Sequence, residues 1–232
     1  MVRKIAVWLT KKIGLYHFFV RIETKIREQK MRKNFLLYGK ECLLQADKAF
    51  RSVNAKLFLN FGTLLGAYRE QNFIQHDFDL DVGYIYSEKP ENMVELLKQF
   101  GFSHKKQFFV KETGLITEDM FTYKGVQIDF FAYFVKNEDF YCYVGRRHET
   151  KSAAEANKTD GFPCRLSYVP ATEFHEIDFI GHRFYTPDKA KQWLKDIYGA
   201  SFMTPIKQWN EFEQKTRIVF HNERLYRKEF AK

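Results

Sequence analysis

The sequence predicts an α+β fold: a mixed β-sheet core with helices, and helical additions at the N- and C-terminal ends. Three observations lead there. Apolar residues recur at helical spacing through the first fifty residues, and runs of alternating or continuous β-branched and aromatic residues fill the middle. The chain of 232 residues is 45% hydrophobic and 18% aromatic with only 12 Gly and 5 Pro, so it carries a well-filled core and neither a repeat nor a flexible linker.

Elements follow in order. From Leu15 through Phe18, Ile22 and Ile26 the apolar positions step by three or four among Lys12, Arg21, Lys25, Arg27 and Lys30. A second helix is expected from about Asn34 to Val53, with Tyr38, Cys42, Ala46, Ala49 and Val53 on one face. Leu57 to Phe61 reads as a short strand ending at Gly62-Thr63, and Leu64 to Glu70 as a short helix. Asp79 to Ile85 reads as a strand, and Pro90 to Phe100 as a helix stopped by Gly101. Strands at Phe108–Val110, Leu115–Tyr123, Val126–Phe134 and Phe140–Val144 are separated by turns at Lys124-Gly125 and Lys136-Asn137. Thr186-Pro187-Asp188 is a helix start with Asp188 as cap, Gly199 ends that helix, and a last amphipathic helix is expected from about Ile206 to Phe230.

Charge divides the chain into three. Residues 1–33 carry ten basic and two acidic side chains, residues 34–213 carry 22 and 25, and residues 214–232 carry six and two. The division predicts a basic amphipathic segment (1–33), a catalytic body (34–213) and a basic C-terminal helix (214–232). A mildly acidic body with basic ends argues against a nucleic-acid partner. Cys42, Cys142 and Cys164 are isolated, which excludes a disulfide framework or thiolate zinc site and fits a cytoplasmic protein. Neither apolar run near the N-terminus approaches the ~20 residues of a membrane span.

Chemistry concentrates between Asn60 and Val82. On an extended backbone Asp77, Asp79 and Asp81 project to one face, where three like charges repel unless a cation sits among them. Hard carboxylate oxygens suit Mg²⁺ or Mn²⁺, which typically takes one or two carboxylates and substrate phosphate oxygens. Upstream, Gly62-Thr63 at a helix start offers backbone N–H groups and a hydroxyl to a phosphate, and Arg69 a bidentate donor. His76 either touches substrate or replaces an aromatic packing residue. Asp129 is the one charge in the apolar strand Val126 to Phe131, a costly position unless a cation or a proton-transfer role offsets it. A lone Asp-x-Asp is more often a turn, Gly-Thr often only a cap, and a buried Asp often pairs with Arg; their joint order is what points to metal-dependent phosphoryl transfer.

Gly62-Thr63-Leu64-Leu65-Gly66-Ala67-Tyr68-Arg69, Phe73-Ile74 and Asp77-Phe78-Asp79-Leu80-Asp81 together closely resemble the signature of the LicD/fukutin family. The likeness extends to Val126-Gln127-Ile128-Asp129, Trp193-Leu194, Tyr198-Gly199 and Met203-Thr204-Pro205. Where that family usually shows Pro-Trp and an intervening Asp, this chain has Gln75, His76 and Phe78. The resemblance implies a nucleotidyltransferase-type fold and transfer of phosphocholine or a sugar-alcohol phosphate from a CDP-linked donor to a glycan. On this reading Asp79 and Asp81 hold Mg²⁺, Asp77 completes the shell or orients the loop, and Asp129 is a third ligand or the base for an acceptor hydroxyl. Gly62, Thr63 and Arg69 then bind phosphate.

The resemblance implies as acceptor a cell-surface glycan such as lipopolysaccharide, capsule or teichoic acid, free or lipid-linked, with residues 1–33 expected to make peripheral contact at the inner membrane face. The alternatives are a true nucleotidyltransferase moving NMP from an NTP to a small molecule, protein or tRNA, and a non-catalytic binding module. The last leaves the four aspartates without a purpose.

Overall fold

The computed structural model describes residues 16–137, 139–170, 173–206 and 218–230. It is a mixed α+β structure built on one sheet of ten strands. Helix α1 (Tyr16–Arg51) leads into β1 (Phe58–Leu59), α2 (Phe61–Arg69), β2 (Asp79–Ile85), a 3₁₀ turn (Tyr86–Glu88) and α3 (Met93–Gln99). Four strands follow: β3 (Ser103–Val110), β4 (Ile116–Tyr123), β5 (Val126–Lys136) and β6 (Asp139–Gly145). The chain ends with α4 (Ala153–Lys158), β7 (Phe162–Val169), β8 (Phe174–Phe179), β9 (His182–Pro187), α5 (Ala190–Tyr198) and β10 (Ile218–Glu229).

Strand order is β4-β3-β10-β7-β6-β5-β2-β1-β9-β8, with a further β4–β5 ladder. Strand β5 meets β4 along residues 126–131 and β6 along residues 134–136, so six strands form a closed circuit of hydrogen bonds. Its other edge pairs in parallel with β2, setting Asp81 beside Asp129 and Asp79 beside Gln127. Loop chemistry fits: Lys124 and Gly125 both have positive φ (+47° and +82°), the left-handed pair of a two-residue hairpin.

Helix α1 packs Cys42, Leu43, Ala46, Ala49 and Phe50 into the main core with no exposure. It is tied down by polar links at both ends of that face. Tyr123 Oη donates to Glu41 at 2.6 Å, and buried Asp47 accepts from Arg51 Nε (2.7 Å) and from His182 Nε2 (2.9 Å). The boundary expected at residue 33 falls inside this single unbroken helix; residues 1–15 of the N-terminal segment lie outside the described residues.

Three expectations are corrected. Over Ile218–Glu229 the C-terminal helical addition is instead strand β10, inserted between β3 and β7 with Leu225 fully buried; residues 207–217 of the expected helix lie outside the described residues. Ile218-Val219-Phe220 favours a strand, and β3 and β7 both need a partner that local periodicity does not reveal. Asp188 does not cap α5: Lys189 holds that position without a side-chain bond, and the Asp188 N–H donates to the Glu173 carbonyl. Finally, α2 starts at Phe61 with Asn60 as cap, so Gly62 and Thr63 lie within its first turn.

Gly66 is set by packing. A methyl group there would stand 2.7 Å from the Asn72 carbonyl oxygen, because α2 lies directly against the loop that carries Phe73 and Ile74. Gly66→Ala should therefore lower the melting temperature by several degrees, despite the ~1 kcal/mol that alanine gains over glycine in a helix. A melt equal to or above wild type would show that the loop yields freely.

Candidate active site

The site forms where the end of β1, the start of α2 and the start of β2 converge. Phe61 opens α2 at φ +32°, a strained value for an aromatic residue. Its ring is held by Phe131 and buried Trp193, with centroids at 5.0 and 5.9 Å. Asn60 supplies the cap, accepting from Phe61 N (2.9 Å) and Tyr133 Oη (2.9 Å). These contacts place the first turn of α2 against the aspartates.

Gly62 N donates to Asp81 Oδ2 at 3.0 Å, and Asp81 N donates to Thr63 Oγ1 at 2.8 Å. The pair expected to bind phosphate thus positions Asp81 from both sides, and buried Thr63 stands outside the cavity wall. Gly62 is required here because carboxylates crowd its Cα: an added methyl would lie 2.4 Å from Asp77 Oδ2 and 3.2 Å from Asp81 Oδ2.

The cavity beside them holds about 570 Å³ and includes Gly62, Arg69, His76, Asp77, Asp79 and Asp81 in its wall. Of the residues singled out from sequence, Thr63 and Asp129 are absent from that wall. Asp129 is buried beside Asp81, its Oδ2 accepting from Gln127 Nε2 at 2.8 Å; its Oδ1 is buried without a hydrogen-bond partner among the described residues. Arg69 Nε pairs with Glu70 at 2.9 Å.

Three functional candidates were not foreseen. Arg165 on β7 is only 6% exposed and lines the cavity. It is the lone charge between Phe162 and Val169, the same signal that marks Asp129, in a segment whose strand character went unread. Tyr198, at the end of α5, also lines the cavity. Glu118 on β4 faces Phe131 across the ladder and adds a half-buried carboxyl near Asp129, while its neighbour Asp119 is the fully buried acid; alternation along Ile116-Thr117-Glu118-Asp119-Met120 does not reveal which of the two meets Asp129.

Electrostatics follow from this crowding. Burial first, then a hydrogen bond with and the charge of Asp79, push Asp77 up to about 8. Burial and the Asp79 charge push Asp129 up to about 7. Asp81 is held well above the carboxylate range by burial and by Asp79, Asp129 and Asp77, and Glu118 by burial and by Asp129 and Asp119. Burial and the nearby Asp81 and Asp77 raise the Tyr198 phenol, while Arg69 and Arg165 oppose that shift. Acidic and cationic side chains thus share one cavity.

Among the described residues no three carboxylate, imidazole or thiol groups stand close enough to enclose a metal ion by themselves. The donor set still suits Mg²⁺ or Mn²⁺: hard oxygens, mutual repulsion that a cation relieves, and an unpartnered Asp129 oxygen. The remaining ligands in such sites are water and substrate phosphate.

Carboxylates of Asp77, Asp79 and Asp81 and the side chains of Arg69 and Arg165 line one cavity on a mixed sheet beside a short helix, an arrangement compatible with phosphoryl or nucleotidyl transfer. The chain belongs to the LicD/FKTN/FKRP nucleotidyltransferase-domain family, whose pattern it matches over residues 54–189. It is similar to the ribitol-5-phosphate transferase FKTN of Homo sapiens, 23% identical over 172 residues, covering 74% of this chain and 34% of that protein. The Mus musculus counterpart is 24% identical over the same length, and an uncharacterised protein of Caenorhabditis elegans is 27% identical over 157 residues, 66% of this chain and 40% of that protein. The chain thus spans about a third of the length of the transferases it matches.

The raised carboxyls have a stability signature. A group whose folded pKa exceeds its unfolded value (about 4 for Asp) stabilises the fold below that value and loses the contribution as pH rises through the folded pKa. Metal-free protein should therefore melt at progressively lower temperature from about pH 5 to about pH 8, with Asp77→Asn flattening the slope. Added Mg²⁺ should raise the melt more at the upper end, where the carboxyls are ionised. A metal-free melting temperature that climbs through this interval would contradict the crowding described.

Proposed function

We propose that this protein is a metal-dependent phosphotransferase of nucleotidyltransferase-type fold. It moves a phospho-alcohol group from a CDP-linked donor to a hydroxyl of a cell-surface glycan and releases CMP. The convergence of Asp77, Asp79 and Asp81 with Arg69 and Arg165 on one cavity carries this reading. The transferred group belongs to the set of phosphocholine, phosphoethanolamine, ribitol phosphate and phosphonates; the ribitol-5-phosphate transferase relatives favour a polyol phosphate among them.

Asp79 and Asp81 would hold Mg²⁺ or Mn²⁺, with Asp77 beside them; a third-ligand role for Asp129 would need the carboxylates to draw together on the ion, and its place outside the cavity wall speaks against a base touching the acceptor. A bound divalent ion supplies charge neutralisation for the donor's diphosphate and the departing CMP. Arg69 and Arg165 offset negative charge on the phosphoryl oxygens from the opposite wall. Gly62 and Thr63 act through Asp81, fixing its carboxylate and backbone. The acceptor oxygen attacks the phosphorus bearing the alcohol, its proton passes to a cavity carboxylate, and the bond from that phosphorus to the oxygen bridging to CMP breaks. His76 lies in the wall where a donor or acceptor hydroxyl would sit. Peripheral membrane contact through residues 1–33 would bring a lipid-linked acceptor to this site.

Asp79→Ala should abolish transfer with the melting transition retained, and Arg165→Ala should reduce kcat/KM for the donor by about 10²-fold or more. Both are checked by Mg²⁺-dependent CMP release across a panel of CDP-linked alcohols. Pyrophosphate release from a nucleoside triphosphate, with no CMP from any member, would replace this reading with nucleotidyl transfer.

A further inference from the structure

Helix α1 is apolar on two sides. At 100° per residue, Ala49, Cys42, Phe35, Ala46, Phe50 and Leu43 fall on the arc buried against the sheet. Ile22, Ile26, Leu36 and Leu37 fall on the adjoining outer arc, and all four are exposed: Ile26 is 60%, Leu36 75% and Leu37 60% accessible. Lys30, Lys33 and Lys40 share that outer arc and are exposed; Lys25 flanks it on the side of Leu36, Glu23 and Glu41 flank it on the side of Lys30, and Glu28 points to the buried side. The stripe thus covers about five turns and contains no acid. It crosses residue 33 without a break and continues onto the part of α1 that holds the domain core.

We infer that this stripe, Ile22 to Lys40, seats the domain flat on an anionic lipid surface. Large exposed apolar side chains in line mark a contact surface, and lysines within the line fix its charge preference. Lysine stems lie along an apolar phase while their ammonium groups reach the lipid phosphates. A second copy of the chain is a poor occupant, because either orientation of two such stripes sets lysine against lysine. No described helix is long and apolar enough to cross a membrane, which agrees with a helix lying in the interface plane. The inference extends the membrane contact proposed above by moving it from a separable tail to the first helix of the catalytic body. It does not depend on the reaction in the cavity.

Sedimentation of the full chain with vesicles tests it. Wild type should bind vesicles containing phosphatidylglycerol, lose binding as salt is raised, and ignore pure phosphatidylcholine. Leu36→Glu/Leu37→Glu should weaken binding by more than about tenfold with the melting temperature unchanged. Should that pair disturb folding, Lys30→Glu/Lys33→Glu on the exposed face must give the same loss. Undiminished binding by a folded variant overturns the inference, as does light scattering that shows a dimer which Leu36→Glu/Leu37→Glu converts to monomer. Failure of every CDP-linked donor would sink the phosphotransferase reading and leave this result standing.

Discussion

Like-charge repulsion in a desolvated site governs this molecule. Asp77, Asp79, Asp81, Asp129 and Glu118 crowd around the β2–β5 ladder, and burial raises the cost of ionising the inner ones. Parallel pairing of β2 with β5 is what creates the problem, since its register places Asp81 and Asp129 side by side. The surroundings offset it locally: the Gly62 N–H and the Gln127 amide each donate to a carboxylate, and Arg69 and Arg165 line the same cavity. What remains uncompensated is a standing preference for positive charge.

The strained start of α2 belongs to the same constraint. Only a helix beginning immediately after β1 can bring the Gly62 N–H onto Asp81, and that abrupt entry forces Phe61 to a positive φ. Packing of Phe61 on Phe131 and Trp193 and the Asn60–Tyr133 bond hold the turn in place. Trp193 lies far along the chain, so the late helix supports the site through an aromatic contact while Tyr198 reaches the cavity itself.

Legibility in the sequence tracked how local each determinant was. Strand β2 begins at Asp79 and ends at Ile85 as expected, and the helix stops at Gly101 and Gly199 fall where their left-handed backbones require glycine. The aspartates and Arg69 were legible because their spacing is short. Arg165 and Glu118 were not, because each enters the site through strand pairings spanning many residues. Strand β10 failed for the same reason: its stretch of mixed charges has no clear period, and its identity depends on the vacancy between β3 and β7. For Gly62 and Thr63 the sequence does not show their hydrogen bonds to Asp81, since that residue comes from strand β2 and not from their own helix.

The closed hydrogen-bond circuit has a bearing on self-association. By pairing with β4, β6 and β2, strand β5 removes the free margin that β4 would otherwise present, leaving β8 as the one open margin among the described strands. That strand is six residues long and carries Glu176 and Asp178 between its apolar positions. Short length and alternating acid are the devices by which proteins make a strand a poor template for cross-β growth. Among the described strands, six thus have both margins occupied within the ring, and the sheet's one free end is a charged fringe.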